Sequence, residues 1–260
     1  MQDKTVVITG SSSGIGAKLA EVVIARGGRV VLAARRAEPL AALAARLGAN
    51  ALAVPTDVSL RADNDRLRDQ AIAKFGAIDV WIANAGRGIT RPVSQLTDAD
   101  VDEMMTVNVK SVLYGIQAVL PHFRERGTGH VIAVSSMLGR VALYPGRSAY
   151  SAAKAAVNSL MLSLRLELRA EAPGIHASTV LPGVVATEFG TNALHGGPDS
   201  RVLPGAQSVD EVAKIIADLI EQPRAEVYTR PELKAFAGSY YTADDVGIAE
   251  GQPPFIGNRR

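Results

Sequence analysis

The sequence lacks cysteine, long hydrophobic runs and any strong excess of charge of one sign. With no cysteine in 260 residues, thiol nucleophiles, disulfides and cysteine-bound metal sites are excluded. Lys and Arg number 28 against 26 Asp and Glu, and the resulting net charge of +2 is spread along the chain, which argues against a nucleic-acid or membrane partner. No apolar run approaches the ~20 residues of a spanning helix, and the start, MQDKTVVITG, has no signal-peptide pattern. We therefore expect a soluble cytoplasmic protein.

Short β-branched runs alternate with longer helical patterns along the chain. The candidate strands are Thr5–Thr9, Arg29–Ala33, Ala51–Val54, Ile78–Ala83, His130–Val134, Ile175–Leu181 and Glu226–Tyr228. Most are continuous apolar runs, which is typical of strands buried on both faces of a parallel sheet. The candidate helices are Gly14–Arg26, Arg36–Leu47, Leu60–Phe75, Asp98–Arg126, Ser148–Glu171 and Val209–Glu221. This alternation predicts an α/β fold, a doubly wound parallel sheet (Rossmann fold) of about seven strands flanked by helices on both faces, as a single domain over residues 1–260.

Three polar residues mark helix starts, and two stretches break the alternation. Ser59, Thr97 and Ser208 stand where N-caps are expected. Residues 183–206 form a Gly- and Pro-containing loop between the sixth strand and the last helix, and a loop of that length in a compact domain is usually functional or disordered. Residues 231–260 are expected to be an irregular tail.

The first strand runs into a glycine-rich turn and then a helix, over Thr9–Gly16. Gly10 permits the tight turn, Gly14 lets backbone amides approach a diphosphate, and Gly16 lets the helix pack closely on the sheet. The free amides and positive end of the helix would hold the anion. The spacing, G-x-x-x-G-x-G, differs from the common dinucleotide fingerprint. A glycine-rich turn without a ligand is the alternative, but the strand before and the helix after favour nucleotide binding.

The end of the second strand bears on which dinucleotide is bound. Ala34 stands where a carboxylate for the ribose 2′-hydroxyl of NAD would be expected. Arg35 and Arg36 follow, and a guanidinium suits a 2′-phosphate because it donates two parallel hydrogen bonds. The alternative is a solvated pair of arginines at a helix start. Asp57, after the third strand, is either an acceptor for the adenine amino group or a helix-capping turn residue.

Tyr150 and Lys154 lie four residues apart on one candidate helix, so both face the same side. An ammonium near a phenol favours the phenolate, so we expect the pKa of Tyr150 to fall from about 10 towards neutrality. Tyr150 would then be a credible proton donor to a developing alkoxide. The pair follows Ser135 and Ser136 at the end of the fifth strand, where the carboxyl ends of a doubly wound sheet converge on a nucleotide.

Taken together, these motifs resemble the short-chain dehydrogenase/reductase family, in its branch of about 250 residues. The matching segments, in the family's order over residues 5–228, are Thr9–Gly16, Asp57-Val58, Asn84-Ala85-Gly86, Asn108, Ser136, Tyr150-Ser-Ala-Ala-Lys154, and Pro182-Gly183 followed by Thr187. No single segment is specific to the family, but the combination is.

The resemblance implies a role for each catalytic residue. Tyr150 would be the general acid in reduction and the base in oxidation, and Lys154 would hold the nicotinamide ribose and tune Tyr150. Ser136 would hydrogen-bond the substrate carbonyl and stabilise its oxyanion. Asn108 would hold a water that links Lys154 to solvent, although a polar residue tolerated inside a helix would look the same without the family.

The resemblance also implies which residues surround the ligands. The expected cofactor-binding residues are Gly10, Ser12, Ser13, Gly14, Ile15, Gly16, Arg35, Arg36, Asp57, Val58, Asn84, Ala85, Gly86, Tyr150, Lys154, Pro182, Gly183, Val185 and Thr187. Thr187 would bond the nicotinamide carboxamide. The expected apolar substrate pocket is Met137, Leu138, Leu143, Tyr144, Phe189 and Leu194. No metal is expected, because the four histidines show no ligand spacing; His195, in the long loop, is a candidate substrate contact.

The sequence departs from the family in two places. Ser136 precedes Tyr150 by 14 positions, one more than the commonest family spacing, so Ser135 or Met137 could occupy the aligned position; Gly139, in the usual S-x-x-G pattern, favours Ser136. The family's common C-terminal ending is replaced by residues 231–260, which puts its usual tetramer interface in doubt. Small residues on the catalytic helix, Ala152, Ala155 and Ala156, allow close packing, either within the chain or in a homodimer or homotetramer.

We therefore expect an oxidoreductase that transfers hydride between NADP(H) and a carbonyl/alcohol pair, the substrate being a hydrophobic or mid-sized ketone, aldehyde or secondary alcohol. One alternative is an NAD-dependent secondary alcohol dehydrogenase of the same fold, against which the missing carboxylate at Ala34 argues. The other is a cofactor-binding regulator without turnover, which has no need of all four residues Asn108, Ser136, Tyr150 and Lys154.

Overall fold

Seven strands form one parallel sheet in a computed structural model that describes residues 1–252, 254 and 255. The strands are β1 (Thr5–Thr9), β2 (Arg29–Ala34), β3 (Ala51–Pro55), β4 (Val80–Ala83), β5 (Gly129–Val134), β6 (Ile175–Leu181) and β7 (Glu226–Tyr228). Their order across the sheet is β3-β2-β1-β4-β5-β6-β7. The expected Rossmann fold is confirmed, with strand ends displaced by one or two residues.

The helices that follow the strands cover both faces of the sheet. They are α1 (Gly14–Ala25), α2 (Ala37–Leu47), α3 (Arg61–Phe75), α4 (Asp98–Met105), α5 (Ser111–Arg126), α6 (Ser148–Glu171), α7 (Val209–Glu221), α8 (Pro231–Tyr241) and α9 (Val246–Glu250). Successive strand residues point to opposite faces: Val7 packs in the core under α3, α5 and α6, whereas Val6 and Ile8 pack under α1, α2 and α7. Because both faces are covered, most strand residues are apolar and buried.

The strand order creates a crevice beside β1. This strand pairs with β2 on one side and with β4 on the other. After β1 the chain builds β2 and β3 outward on one side, and after β3 it crosses back to build β4 on the other side of β1. Ligands in open α/β sheets bind at this reversal, outside the carboxyl ends of the strands. The glycine-rich turn after β1 and the Asn84–Gly86 segment after β4 therefore lie side by side.

The segment expected as one helix over residues 98–126 contains a π turn. Residues Thr106–Lys110 join α4 to α5 with π-helical hydrogen bonding. Asn108 lies in this turn, and its side chain bonds the backbone of Arg87. One extra residue is thus fitted into the turn that faces the crevice, as is common for π bulges near functional sites; hydrophobic periodicity does not reveal it.

Two of the three expected N-caps are confirmed. The Thr97 hydroxyl accepts a hydrogen bond from Asp100 N at 3.2 Å and the Ser208 hydroxyl accepts one from Glu211 N at 3.1 Å. Ser59 is not a cap, because α3 begins later, at Arg61. The backbone amide and hydroxyl of Ser59 instead donate to the Asp57 carboxylate at 3.0 and 2.6 Å, which closes a local turn after β3.

The expectation of an irregular tail is wrong for most of its length. Residues 231–241 form α8 and residues 246–250 form α9; residues 253 and 256–260 lie outside the described part. Pro231 at the first turn of α8 and Glu232 beside it are ordinary helix-start signals. Ala237 of α8 packs against Met137 and Val141 near the end of β5.

The long loop over residues 183–206 is tied down rather than free. Leu194 pairs with Ile89 in an isolated parallel bridge. His195 Nε2 lies 2.7 Å from Oδ1 of Asp100, and Arg91 Nη1 donates to Oδ2 of that carboxylate at 2.8 Å. The hydrogen bond to His195 is the main cause that holds the pKa of Asp100 well below its usual range. His195 therefore fastens the loop to α4, and it is not among the residues that line the cleft at the carboxyl ends of the strands.

Within residues 1–252, 254 and 255, no helix has both the length and the apolar character to cross a bilayer. The same residues contain no group of three metal-ligating side chains.

Candidate active site

A cleft of about 1250 Å³ opens at the carboxyl ends of the strands. Nearly every residue predicted from the sequence lies on its wall: Gly10, Ser12, Ser13, Gly14, Ile15, Arg35, Arg36, Asp57, Val58, Asn84, Ala85, Gly86, Ser136, Met137, Leu138, Leu143, Tyr144, Tyr150, Lys154, Pro182, Gly183, Val185, Thr187 and Phe189. Gly16, Asn108 and Leu194 do not line it. Gly16 and Asn108 pack directly behind the wall, while Leu194 packs against the core and does not reach the cleft that the other expected pocket residues line.

The glycine-rich turn has the conformation that its glycines predict. Gly10 and Gly14 have φ of +67° and +57°, in the left-handed region where other residues are strained. A Cβ on Gly16 would lie 2.5 Å from the carbonyl oxygen of Gly10, so only glycine lets α1 start this close to the strand. Thr187 lies opposite, with its methyl group 3.2 Å from the Cβ position of Gly14. The turn and the loop after β6 therefore form facing walls.

Asn84 fixes this turn from the neighbouring strand. Its side-chain amide donates to the carbonyls of Thr9 at 2.9 Å and Gly10 at 3.3 Å, and its backbone amide donates to the Thr9 hydroxyl at 3.0 Å. The buried turn thereby has its carbonyls satisfied, and its amides are left for the cleft.

The start of α1 suits an anionic ligand such as a diphosphate. Ser13 is its N-cap residue, yet its side chain caps no amide, and the first turn carries no acidic residue. By contrast, α4 and α7 each have a side-chain cap and acidic residues in the first turn. Free amides together with the positive end of a helix dipole form an anion site. The dinucleotide implied by this fold therefore fits the residues present.

At the far end of the cleft, the end of β2 carries no acid. Ala34 is nearly buried and Arg35 and Arg36 are exposed beside it. Arg36 Nη2 donates to the Ser12 hydroxyl of the glycine-rich turn at 3.2 Å. Asp57 lines the cleft and accepts the hydrogen bonds of Ser59, so it is a turn residue before α3; its contact with the adenine amino group stays a prediction.

Tyr150, Ser136 and Lys154 form one buried wall of the cleft. They are 7%, 7% and 3% exposed. Ser136 lies two residues after β5 and caps a short 3₁₀ turn by accepting the Leu138 amide at 3.1 Å, while Tyr150 and Lys154 project from α6. Gly139 allows this approach, because a Cβ there would lie 2.6 Å from the backbone carbon of Lys154. The S-x-x-G pattern thus marks the place where α6 presses on the end of β5.

The pKa of Tyr150 shifts opposite to the expectation from the sequence. Burial raises it to about 12, against smaller lowering contributions from the Ser136 hydroxyl and the Arg147 guanidinium. Burial lowers the pKa of Lys154 to about 8. Lys154 Nζ lies 5.7 Å from the centre of the Tyr150 ring and donates to the carbonyl of Val134 at 2.9 Å. The expectation that the ammonium pulls the phenol towards neutrality is therefore wrong here, since desolvation of both groups outweighs their attraction.

Asn108 lies behind Lys154 and is hydrogen-bonded to the backbone of two neighbouring segments. Its amide nitrogen donates to the carbonyls of Arg87 at 3.0 Å and Met104 at 3.1 Å, and its oxygen accepts the Arg87 amide at 3.1 Å. Gly86 lies between the two side chains, with its Cβ position 2.9 Å from Asn108 Oδ1 and 3.5 Å from Lys154 Nζ. A side chain at Gly86 would separate Asn108 from Lys154.

Leu233 and Arg147 are two of the cleft residues that the sequence analysis missed. Leu233 of α8 lines the cleft and contacts Gly183, whose Cβ position lies 3.1 Å from its methyl group. Arg147 also lines the cleft although its side chain is almost buried. Helix-start signals at Pro231, and the three-residue spacing of Arg147 from Tyr150, could have indicated them.

A doubly wound sheet with an anion-binding turn and a buried Tyr–Lys pair defines a dinucleotide-dependent oxidoreductase class. Residues 4–196 match the family model described as short chain dehydrogenase, and the chain belongs to that family. An uncharacterised oxidoreductase of Listeria monocytogenes is 38% identical over 234 residues, covering 86% of this chain and 92% of the relative.

Solved structures of the family share the whole fold. A short chain dehydrogenase/reductase from Burkholderia phymatum in complex with NAD superposes with a TM-score of 0.86 at 25% identity, covering 95% of each chain. An alcohol dehydrogenase from the archaeon Thermococcus sibiricus, complexed with 5-hydroxy-NADP, gives a TM-score of 0.77 at 27% identity, over 87% of this chain and 96% of that one. The family thus includes chains with either form of the nicotinamide cofactor.

Proposed function

We propose that this protein is an NADP(H)-dependent oxidoreductase that interconverts a carbonyl compound and its alcohol. The observation that carries the proposal is the wall of Ser136, Tyr150 and Lys154, buried at one end of a cleft whose other end is an uncapped helix N-terminus. When bound, NADP(H) supplies or accepts the hydride. The chain's own residues must then bind the substrate oxygen and move one proton.

Tyr150 is the proton donor in reduction. Because burial raises its pKa to about 12, the phenol is protonated at neutral pH and can donate to the oxygen that becomes an alkoxide. In oxidation the same oxygen takes the proton back. Ser136 donates its hydroxyl hydrogen to the substrate oxygen and lowers the energy of the developing charge, an effect that is strong in a desolvated site.

Lys154 and Asn108 support this proton transfer from behind. The Lys154 ammonium lies near the Tyr150 ring on one side and near Gly86 and Asn108 on the other. From there it can orient the ribose and favour loss of the Tyr150 proton in the transition state. We propose that Asn108 keeps the π turn open for a water that returns protons to Lys154.

The preference for NADP(H) rests on charge at the end of β2. Ala34 offers no carboxylate for a ribose 2′-hydroxyl, and Arg35 and Arg36 offer two guanidinium groups for a 2′-phosphate. The bond from Arg36 to Ser12 already holds one of them beside the glycine-rich turn.

The test follows loss of reduced-nicotinamide absorbance with NADPH and NADH in parallel, over aryl ketones, keto esters, diketones and aldehydes. We expect turnover with a lower KM for NADPH. Tyr150→Phe should lower kcat by at least 10³-fold while the Kd for NADPH stays within about threefold, because only the proton donor is removed. Tyr114→Phe, on α5 away from the cleft, is the matched control and should keep full activity.

Each other result has a definite meaning. A lower KM for NADH would support the NAD-dependent alcohol dehydrogenase instead. Binding of NADPH without turnover of any carbonyl compound or alcohol would support the regulator without turnover. Full activity of Tyr150→Phe would mean that another group donates the proton.

A further inference from the structure

Arg147 places a buried positive charge beside the proposed proton donor. It precedes α6 and is 9% exposed. Tyr150 follows three residues later, so the two side chains start from adjacent points on the first turn of the helix. Its backbone is held on both sides, since Ser151 N donates to its carbonyl at 2.8 Å and it pairs with Arg91 in a parallel bridge.

The charge of Arg147 has no counter-ion in the part of the chain that the structure describes. Its one hydrogen bond runs from Nη1 to the backbone carbonyl of Ile89 at 3.2 Å. Burial lowers its pKa, and no carboxylate opposes this effect. The other arginine on this side of the cleft differs: Arg87 pairs with Glu103 at 2.9 Å. A buried, unpaired guanidinium is costly, so it is expected where a ligand brings the opposite charge.

The guanidinium of Arg147 borders the cleft between two glycines. Arg147 lines the cleft, and its Nε and Nη2 have no hydrogen-bond partner within the described residues. Gly88 and Gly197 flank it, with Cβ positions 2.6 Å from Nη1 and 3.2 Å from Nη2. A larger side chain at either position would displace the guanidinium, so the two glycines leave it its place beside the cleft.

We propose that Arg147 binds a carboxylate of the substrate, so that the substrate class is a short oxo acid or the corresponding hydroxy acid. This inference rests on the proposed function and narrows its substrate. The planar guanidinium presents parallel N–H groups that match the two oxygens of a carboxylate. Because Arg147 and Tyr150 start from the same helical turn and both line the cleft, we expect a short acid to reach both with its carboxylate and its carbonyl group.

A different role for Arg147 makes a different prediction. Its guanidinium also lowers the pKa of Tyr150, so it could act only by stabilising the phenolate. Loss of Arg147 would then slow charged and neutral substrates equally and shift the alkaline limb of the pH profile. A carboxylate site adds a loss of kcat/KM that falls on the charged substrate alone, beyond any change that the two substrates share through Tyr150.

The test compares 2-oxo, 4-oxo and 5-oxo acids of four to eight carbons with their methyl esters. We expect the wild-type kcat/KM to favour the acids. Arg147→Gln should lower kcat/KM for the acids by about 10- to 100-fold, as expected for a lost charge-assisted pair, and change that for the esters less than threefold. Arg147→Lys should give an intermediate ratio of kcat/KM for acids to that for esters, since lysine keeps the positive charge but not the pair of parallel N–H donors. Arg87→Gln, a cleft arginine already paired, should leave the acid-to-ester ratio unchanged.

Calorimetric titration separates failure of this inference from failure of the proposed function. Pentanoate and 4-oxopentanoate should bind wild type in the presence of NADPH and bind Arg147→Gln at least tenfold more weakly, even if no carbonyl compound is turned over. Circular dichroism checks that each variant is folded. If Arg147→Gln does not fold, the comparison of acids with esters is made with Arg147→Lys instead. The inference is overturned if wild type binds and reduces esters as well as acids, or if Arg147→Gln slows both to the same extent.

Discussion

Lys154 carries its charge in one of the least hydrated parts of the molecule. Its ordinary pKa of 10.5 falls to about 8 by burial alone, so the folded protein binds that proton less tightly than the unfolded chain. Between pH 8 and 10.5 the unfolded state holds more protons, and the free energy of unfolding therefore rises with pH across this window. Below pH 8 the charge is present in both states, and its full desolvation cost weakens the fold.

Replacing Lys154 by methionine should therefore stabilise the protein while abolishing turnover. We expect the free energy of unfolding at pH 7 to rise by about 1–3 kcal/mol, somewhat less than the whole pKa shift implies because the bond to Val134 is lost. The gain should shrink as pH approaches 10.5. Urea unfolding between pH 7 and 10 measures it, with exposed Lys214→Met as the control. Equal stability of wild type and Lys154→Met at pH 7 would contradict the prediction.

The positions of site residues could be predicted from the sequence where residue spacing alone determines them. Tyr150 and Lys154 are four apart on a helix, so their common orientation follows from helix geometry, and both line the cleft. The direction of the Tyr150 pKa was not readable, because it depends on how much water reaches the phenol. Arg147 was missed because its unpaired state depends on Ile89, Gly88 and Gly197, which are distant in sequence.

At the scale of elements, α8 closes the substrate side of the cleft. Its Leu233, Phe236 and Ala237 pack with Met137 and Leu143, two residues of the expected substrate pocket. The sequence predicts all seven strands from their apolar runs, but it does not predict α8, because the family's usual ending is absent there. The unused signals were Pro231 and Glu232 at its start.

Leu233→Ala should weaken substrate binding in the cleft while lowering the stability of the fold only modestly. We expect KM for the carbonyl substrate to rise several-fold and kcat to change less than twofold. The lost methyl groups are part of the cleft wall and are not expected to contact the reacting atoms. The free energy of unfolding should fall by about 1–2 kcal/mol, below the range for a fully buried leucine. Lys234→Ala, the exposed neighbour, is the control for steady-state kinetics and urea unfolding. An unchanged KM would place substrate away from α8.

At the scale of the whole molecule, one face of α6 is left uncovered by residues 1–252, 254 and 255. Ala155, Ser159, Leu162 and Leu166 follow one another at helical spacing and are all exposed, and Leu162 and Leu166 show 49% and 60% of their surface. The opposite face of the same helix carries Tyr150 and Lys154. An apolar stripe bordered by small residues permits close helix packing, which is the basis for the homodimer or homotetramer expected from the sequence.

Light scattering after size-exclusion chromatography tests this assembly. We expect wild type at a multiple of the 27.3 kDa chain mass, and Leu162→Glu should shift it towards the monomer, because a charge placed in an apolar helix contact is left unpaired. Leu60→Glu changes an equally exposed leucine (54%) at the start of α3 and should leave the mass unchanged. Since α6 carries the proposed catalytic pair on its other side, Leu162→Glu should also lose part of its kcat. A wild-type protein of monomer mass would contradict the prediction, and Leu162 would then be an ordinary exposed leucine.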